Sequence, residues 1–317
     1  MVDSYDEYEL MCEVARMYYD DELTQDKIGE ILGLSRQKVW RILKRAKEEG
    51  VVQIRVEGSS QIDSELENTI REGFGLKEAC IARVFTSEEK LVVKKVAQLA
   101  ASYLKKKIEP YLSLGVAYGR TLFEMTNFLP DNPVMGLRVI QIMGGYGKLK
   151  GDIMAVELAR RIAQAFHGDV VYLLAPAFAQ DPKAKEAIEN EEKIKLVMDL
   201  AKKVDMALVG IGGVSPISTL MDTGEIYSQE REELLKKGAV GNICGNFYDI
   251  EGNQVNSSAD KRRISIALED LRKIPLVVGV AGGKSKVEPI LGALRGKLVN
   301  VLITDELTAQ GLVENLK

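Results

Sequence analysis

The stretch "TQDKIGEILGLSRQKVWRILKRAKEEG" (residues 24–50) holds two short helical patterns joined at a glycine. In the first, Ile28, Ile31 and Leu32 are spaced for one buried stripe, and Thr24 stands where a cap is needed. Gly33 follows as a turn residue free to take positive φ, and Ser35 caps the second helix. There Val39, Ile42, Leu43 and Ala46 recur at i, i+3, i+4 and i+7 and face inward, while Gln37, Trp40, Arg41 and Lys44 repeat that spacing on the opposite side. Gly29 is small where two helices must cross closely, so the pattern predicts a helix-turn-helix.

Beyond it, "VVQIRVEG" (51–58) alternates apolar and polar residues with the period of a half-buried strand. A wing needs a returning strand, and the polar "SSQIDSELENTI" supplies none, so the wing is at best partial and "GSSQIDS" reads as a hinge. From about residue 63 the texture becomes repeated strand and helix. Apolar runs "ACIARV", "LSLGVAY", "LRVIQIM", "DVVYLLA", "MALVGIG", "IPLVVGVAG" and "LVNVLIT" are separated by amphipathic helices such as 88–107 and 152–166. Such alternation predicts an α/β fold, Rossmann-like, with a largely parallel sheet covered by helices on both faces. The expected organisation is a helix-turn-helix domain over 1–57, a linker over 58–63 and a larger domain over 64–317.

Charge sharpens the reading of the first domain. Residues 35–47 contain Arg36, Lys38, Arg41, Lys44, Arg45 and Lys47 and no acid, whereas the rest of 1–58 has three basic residues against 13 acidic ones. Within residues 1–58 of a chain of net charge −4, the positive charge is thus confined to one surface. That is the footprint of a recognition helix in the major groove of double-stranded DNA. Arg36, Gln37 and Arg41 are candidates for base edges, Lys38, Lys44 and Arg45 for phosphates, and Ser35 for the helix start. Trp40 fits a packing contact with a neighbouring domain or subunit better than a DNA contact.

Composition excludes several chemistries. His167 is the single histidine, which argues against a Ser-His-Asp triad or a histidine-rich metal site, and its position after a helix suits a C-terminal dipole partner. Cys12, Cys80 and Cys244 are far apart and form no zinc spacing. No apolar run reaches the roughly 20 residues of a membrane span, and the acidic start is unlike a signal peptide. A cytoplasmic protein with no metal, no catalytic group and no membrane partner is expected.

In a parallel α/β sheet, ligands sit beyond the carboxyl ends of the strands. Three loops there carry glycine with cationic or hydroxyl residues. "LGVAYGRTLFEM" runs through Gly119 into a helix beginning near Arg120 and Thr121, "IMGGYGK" places Gly144 and Gly145 after a strand with Lys148 nearby, and "VAGGKSK" repeats the arrangement with Gly282, Gly283 and Lys284. Together they point to a phosphorylated small molecule. Neither GxxxxGK[ST] nor GxGxxG is present, which argues against a nucleotide.

The whole chain resembles the SorC/DeoR family of bacterial transcriptional regulators, most specifically in "GAVGNICGNFYDIEGNQV" and "RRISIALEDLRKIPLVVGVAGGKSKVEPILGALRGKLVNVLITDELTAQGL". The resemblance implies an effector domain similar to ribose-5-phosphate isomerase and glucosamine-6-phosphate deaminase, assembly as a homo-oligomer (dimer or tetramer), and operator binding controlled by a phosphorylated sugar or polyol, with no cofactor. It carries the phosphate loop onto Gly119, Arg120 and Thr121, the second glycine loop onto Gly144 and Gly145, and a ligand-reaching lysine onto Lys284. Two positions depart from the family pattern: Met143 stands where a basic or polar residue is common, and Asn242, a further effector-binding candidate, where an acid is common. Both alter the sugar end of the pocket.

Two other readings compete. A sugar-phosphate isomerase or deaminase would need a carboxylate placed for proton transfer near the strand ends. "VDMALVGIGGVS" ends in glycines and Ser215, while Asp305 is placed to cap the last helix. A large domain that only oligomerises would leave three glycine loops without a role.

Overall fold

The computed structural model describes residues 3–52, 64–145, 154–215 and 218–316. The chain divides into two compact units, Met1–Ser59 and Ser60–Lys317.

The smaller unit has three helices among its described residues: α1 (Asp3–Tyr19), α2 (Gln25–Leu32) and α3 (Arg36–Glu48). Thr24 caps α2 by accepting the Lys27 N–H, Ser35 caps α3 by accepting the Lys38 N–H, and Gly33 turns the chain with φ 66°. Val14, Ile28, Val39 and Leu43 form the core, and α1 adds Met11 and Ala15 against Ala46. Two expectations change. Ile31 is half exposed, outside this core, because one turn of α2 presents only Ile28 and Leu32 to α1 and α3. Gly29 is required by the turn: a Cβ there would lie 2.6 Å from the Leu34 carbonyl oxygen. Val51 and Val52 are half-buried against the core, and the remainder of the expected wing strand and the hinge lie outside the described residues.

The larger unit contains, in chain order, β1 (Glu78–Ala82), β2 (Ser113–Val116), β3 (Arg138–Gln141), β4 (Asp169–Val171), β5 (Met206–Gly210), β6 (Gly212–Gly213), β7 (Gly241–Ile243), β8 (Asn246–Tyr248), β9 (Leu276–Val280) and β10 (Val301–Asp305). Seven of them form one sheet in the order β1-β10-β9-β5-β2-β3-β4, and every pairing is parallel. All seven apolar runs of the sequence supply a strand of this sheet. They are continuous rather than alternating because a parallel sheet is covered on both faces, here by helices that include Glu89–Lys107 and Met154–Phe166. The expected start of the second helix, at 152, falls outside the described residues. His167 follows that helix with φ 54° and its ring meets Asp131 at 2.7 Å.

The strand order reverses between β5 and β2: from β2 the chain proceeds outward through β3 and β4, and from β5 it proceeds through β9 toward β10. A crevice at the carboxyl ends is expected at such a reversal. Over it lies a second, antiparallel sheet, β6-β7-β8, built from "GG", "GNI" and "NFY".

Candidate functional site

On α3, the solvent face carries Arg36, Gln37, Lys38, Trp40, Arg41, Lys44, Arg45 and Lys47, all exposed. Their surroundings differ. Arg45 is held by Glu49, one turn on, and by Glu7 of α1. Arg36 lies 3.7 Å from Asp26, and Lys44 lies 3.7 Å from Glu48 with its ammonium over the Trp40 ring. Lys38 and Arg41 have no ion pair among the described residues. Lys47, over the Tyr19 ring, has none either, so the cations able to meet an anionic surface without first leaving a carboxylate are Lys38, Arg41 and Lys47, with Gln37 beside the first two. Trp40 is 52% exposed and stands outside the core cluster of its unit.

In the larger unit, an open cavity lies at the carboxyl ends of β2, β5 and β9. The loop after β2 brings Gly119, Arg120 and Thr121 to its wall, the turn between β5 and β6 brings Gly210 and Gly212, and the loop after β9 brings Gly282 and Lys286. The small sheet adds Asn242, Cys244 and Gly245, and β3 leads into Met143. Of the sequence-derived candidates, Gly119, Arg120, Thr121 and Asn242 thus share one cavity.

Gly144, Gly145 and Lys284 do not line it. The Gly144 N–H donates to the Ile264 carbonyl at 3.0 Å and the Gly145 N–H to the Ala175 carbonyl at 2.9 Å, so both amides are used within the fold. A Cβ on Gly144 would sit 2.2 Å from the Pro176 carbonyl oxygen, so this glycine serves packing. Lys284 is exposed beside Ile250 and Glu288. Gly283 takes φ 101°, and the tight turn Lys284–Lys286 that follows sends the second lysine, not the first, to the cavity. Lys148 lies outside the described residues.

Lys286 is half-buried, with no ion pair among the described residues. Burial first, then the nearby Arg120 charge, push its pKa down to about 8, with Glu89 pulling the other way. Two cations held together in this manner favour an anion, which would restore the solvation lost by burial. Glu89, exposed at the start of its helix, is the carboxylate among the lining residues. The other carboxyl near the strand ends, Asp305, caps the helix Glu306–Val313 through the Thr308 N–H and also accepts the Thr308 hydroxyl and the Gly283 N–H. Burial pushes the Cys244 thiol up to about 12, so it stays protonated and packs as a small apolar group. With Met143, Ile211 and Leu220, it gives part of the cavity an apolar lining.

Lys286, Glu89 and Ser218 are site residues that spacing did not reveal. Lys286 had a signal, since it is the second lysine of "GGKSK", but side-chain direction after a left-handed glycine cannot be read from sequence.

The model described as "Putative sugar-binding domain" matches residues 60–314, and that of sigma-70 region 4, a helix-turn-helix, matches residues 12–48. The chain is 33% identical over 308 residues to the deoxyribonucleoside regulator of Bacillus subtilis, covering 97% of this chain and 98% of that protein. It is 29% identical to the sorbitol operon regulator of Klebsiella pneumoniae, covering 99% and 100%. The crystal structure of full-length SorC from Klebsiella pneumoniae superposes with a TM-score of 0.75 at 29% identity, over 96% of this chain and 98% of that one.

Proposed function

The chain belongs to the SorC/DeoR family of bacterial transcriptional regulators, and on that footing we propose that its cavity takes a phosphorylated sugar or polyol whose binding switches operator recognition. The protein is a DNA-binding regulator of transcription, not an enzyme, as its relatives are named. In this reading it acts in the cytoplasm on an operon for carbohydrate use.

One observation carries the choice of a phosphorylated effector: Lys286, half-buried with no ion pair among the described residues, stands at the same cavity wall as Arg120. A neutral sugar would leave the half-buried Lys286 charge uncompensated, whereas a phosphate would offset it, could reach the neighbouring Arg120 guanidinium and could accept from Thr121 as well. The apolar lining from Met143, Cys244 and Leu220 suits the carbon skeleton. Among the described residues no helix is long and apolar enough to cross a membrane.

A single α3 makes few base contacts, so useful specificity calls for a homo-oligomer presenting at least two such helices to repeated half-sites. Effector binding would bias two arrangements of those helices, with a coupling of roughly 1 to 3 kcal/mol as is usual for such switches. The test is thermal denaturation of the full chain with paired free and phosphorylated sugars, followed by operator titration with the stabilising compound. Stabilisation by a phosphorylated member alone, together with a changed operator affinity, is the expected result. Equal stabilisation by the free sugar would remove the phosphate from the reading.

A further inference from the structure

Ser218 stands immediately before the short helix Thr219–Asp222, at the position where a serine hydroxyl ordinarily accepts an N–H of the first turn. Thr24 and Ser35 do this in the smaller unit. Ser218 does not: its Oγ is buried, with the residue 7% exposed, and has no hydrogen-bond partner among the described residues. Its main chain, by contrast, is fixed. The Ser218 N–H donates to the Ser215 carbonyl at 2.9 Å, and its carbonyl accepts the N–H groups of Met221 and Asp222 at 3.1 and 2.9 Å. The side chain lines the same cavity as Arg120, Lys286 and Asn242.

A buried hydroxyl without a partner is unfavourable, and buried polar groups in folded proteins are overwhelmingly satisfied. The local alternative, capping the helix, is within the reach of any serine at this position. A hydroxyl that forgoes it at a cavity wall is set to bond whatever occupies the cavity. Asn242, 7% exposed, stands in the same wall with its amide N–H at a long 3.4 Å from the Gly213 carbonyl. Both groups are uncharged and can donate and accept, which matches sugar hydroxyls and not phosphate oxygens alone.

We propose that Ser218 Oγ hydrogen-bonds a hydroxyl of the effector and is a specificity-determining residue of the cavity. This rests on the reading of the cavity as an effector site, and it separates two tasks: Arg120 and Lys286 hold the anionic group, and Ser218, with Asn242, discriminates the sugar attached to it.

The experiment is calorimetric titration of the full chain and its Ser218→Ala variant with inorganic phosphate and with a set of pentose, hexose and hexitol monophosphates, alongside their unliganded melting temperatures. The variant is expected to be as stable as the parent without ligand, since Ser218 Oγ has no hydrogen bond to lose among the described residues. It should bind inorganic phosphate equally well and bind the parent's tightest monophosphate about tenfold more weakly. A monophosphate affinity within about twofold of the parent's overturns the proposal, as does a clear loss of unliganded stability, which would mean that the hydroxyl has a structural partner. Binding of inorganic phosphate with no preference for any monophosphate overturns the assignment of Ser218 and leaves the anion site standing. Failure of the parent to bind either class overturns both.

Discussion

The side chain of Asp305, at the end of β10, accepts the backbone N–H of Gly283 at 2.6 Å, tying the last strand of the sheet to the turn that carries Lys286. The same side chain takes the Thr308 N–H at 3.0 Å and the Thr308 hydroxyl at 2.6 Å, and it is fully buried. Three donors therefore converge on one carboxyl group, and the cavity's lysine inherits its position from them. An amide in place of the carboxyl group would turn an N–H toward one of these donors. Asp305→Asn is expected to cost about 1 to 3 kcal/mol in unfolding free energy and to weaken phosphate binding, although residue 305 does not line the cavity. Denaturant unfolding and phosphate titration of the variant check both effects. Undiminished phosphate affinity would show that the turn holds its shape without this anchor.

Lys286 gives the anion site a pH dependence of defined sign. Its folded-state pKa of about 8 lies below the ordinary 10.5, so between these values the unfolded chain binds more protons and stability rises with pH. Anion binding runs the opposite way, because a phosphate favours the protonated lysine. The affinity for phosphate compounds is expected to fall as pH climbs through about 8, where a phosphate monoester, with its second pKa near 6, keeps a constant charge. Lys286→Met should bind weakly and lose the pH dependence. Titrations across this window decide the matter, and an unchanged slope in the variant would place the titrating group elsewhere.

How much of this was legible beforehand varies with the physics of each element. The seven parallel strands are written as continuous apolar runs because both of their faces are covered, and α2 and α3 carry their caps in Thr24 and Ser35. The sheet β6-β7-β8 escapes such a reading: its strands are two or three residues long and rich in glycine, so no period can establish itself. Helix α1 is masked by its acidic front half, and its buried residues Met11, Val14 and Ala15 become meaningful only against α3. The cavity was legible where backbone and side chain point together, at Gly119–Thr121. It was not legible at Lys286 and Ser218, where direction depends on a turn.

A buried ion pair ties the helix Ser228–Lys236, through Glu230, to the segment that carries Arg262. Arg262 and Glu230, each below 10% side-chain exposure, form a two-pronged contact at 3.0 and 2.8 Å, and the guanidinium also donates to the carbonyls of Ala179 and Glu225 and lies over the Tyr227 ring. Removing one partner strands the other charge. Arg262→Ala is expected to destabilise the larger unit by about 3 to 5 kcal/mol, whereas the double replacement Arg262→Met with Glu230→Leu should recover much of that loss. Equilibrium unfolding of both variants checks the order. A double variant no more stable than the single one would assign the loss to the carbonyl contacts instead.

On α3 the structure ranks cations that charge alone makes equivalent. Arg41 has no carboxylate partner among the described residues, while Arg45 is engaged by both Glu7 and Glu49. Arg41→Ala is therefore expected to cost about 1 to 3 kcal/mol of operator affinity and to relax sequence preference, as loss of a base contact does. Arg45→Ala should cost less. Exchanging Glu7 and Glu49 for Gln releases Arg45 and should tighten DNA binding while steepening its salt dependence, by about one unit of slope if one more phosphate is neutralised. Operator titrations at several salt concentrations measure both quantities. Since exposed ion pairs of this kind are weak, DNA could in principle capture Arg45 from its carboxylates. An Arg45→Ala loss equal to that of Arg41→Ala would mean that this exchange takes place on docking, and the two glutamates would then act as a brake on non-specific binding.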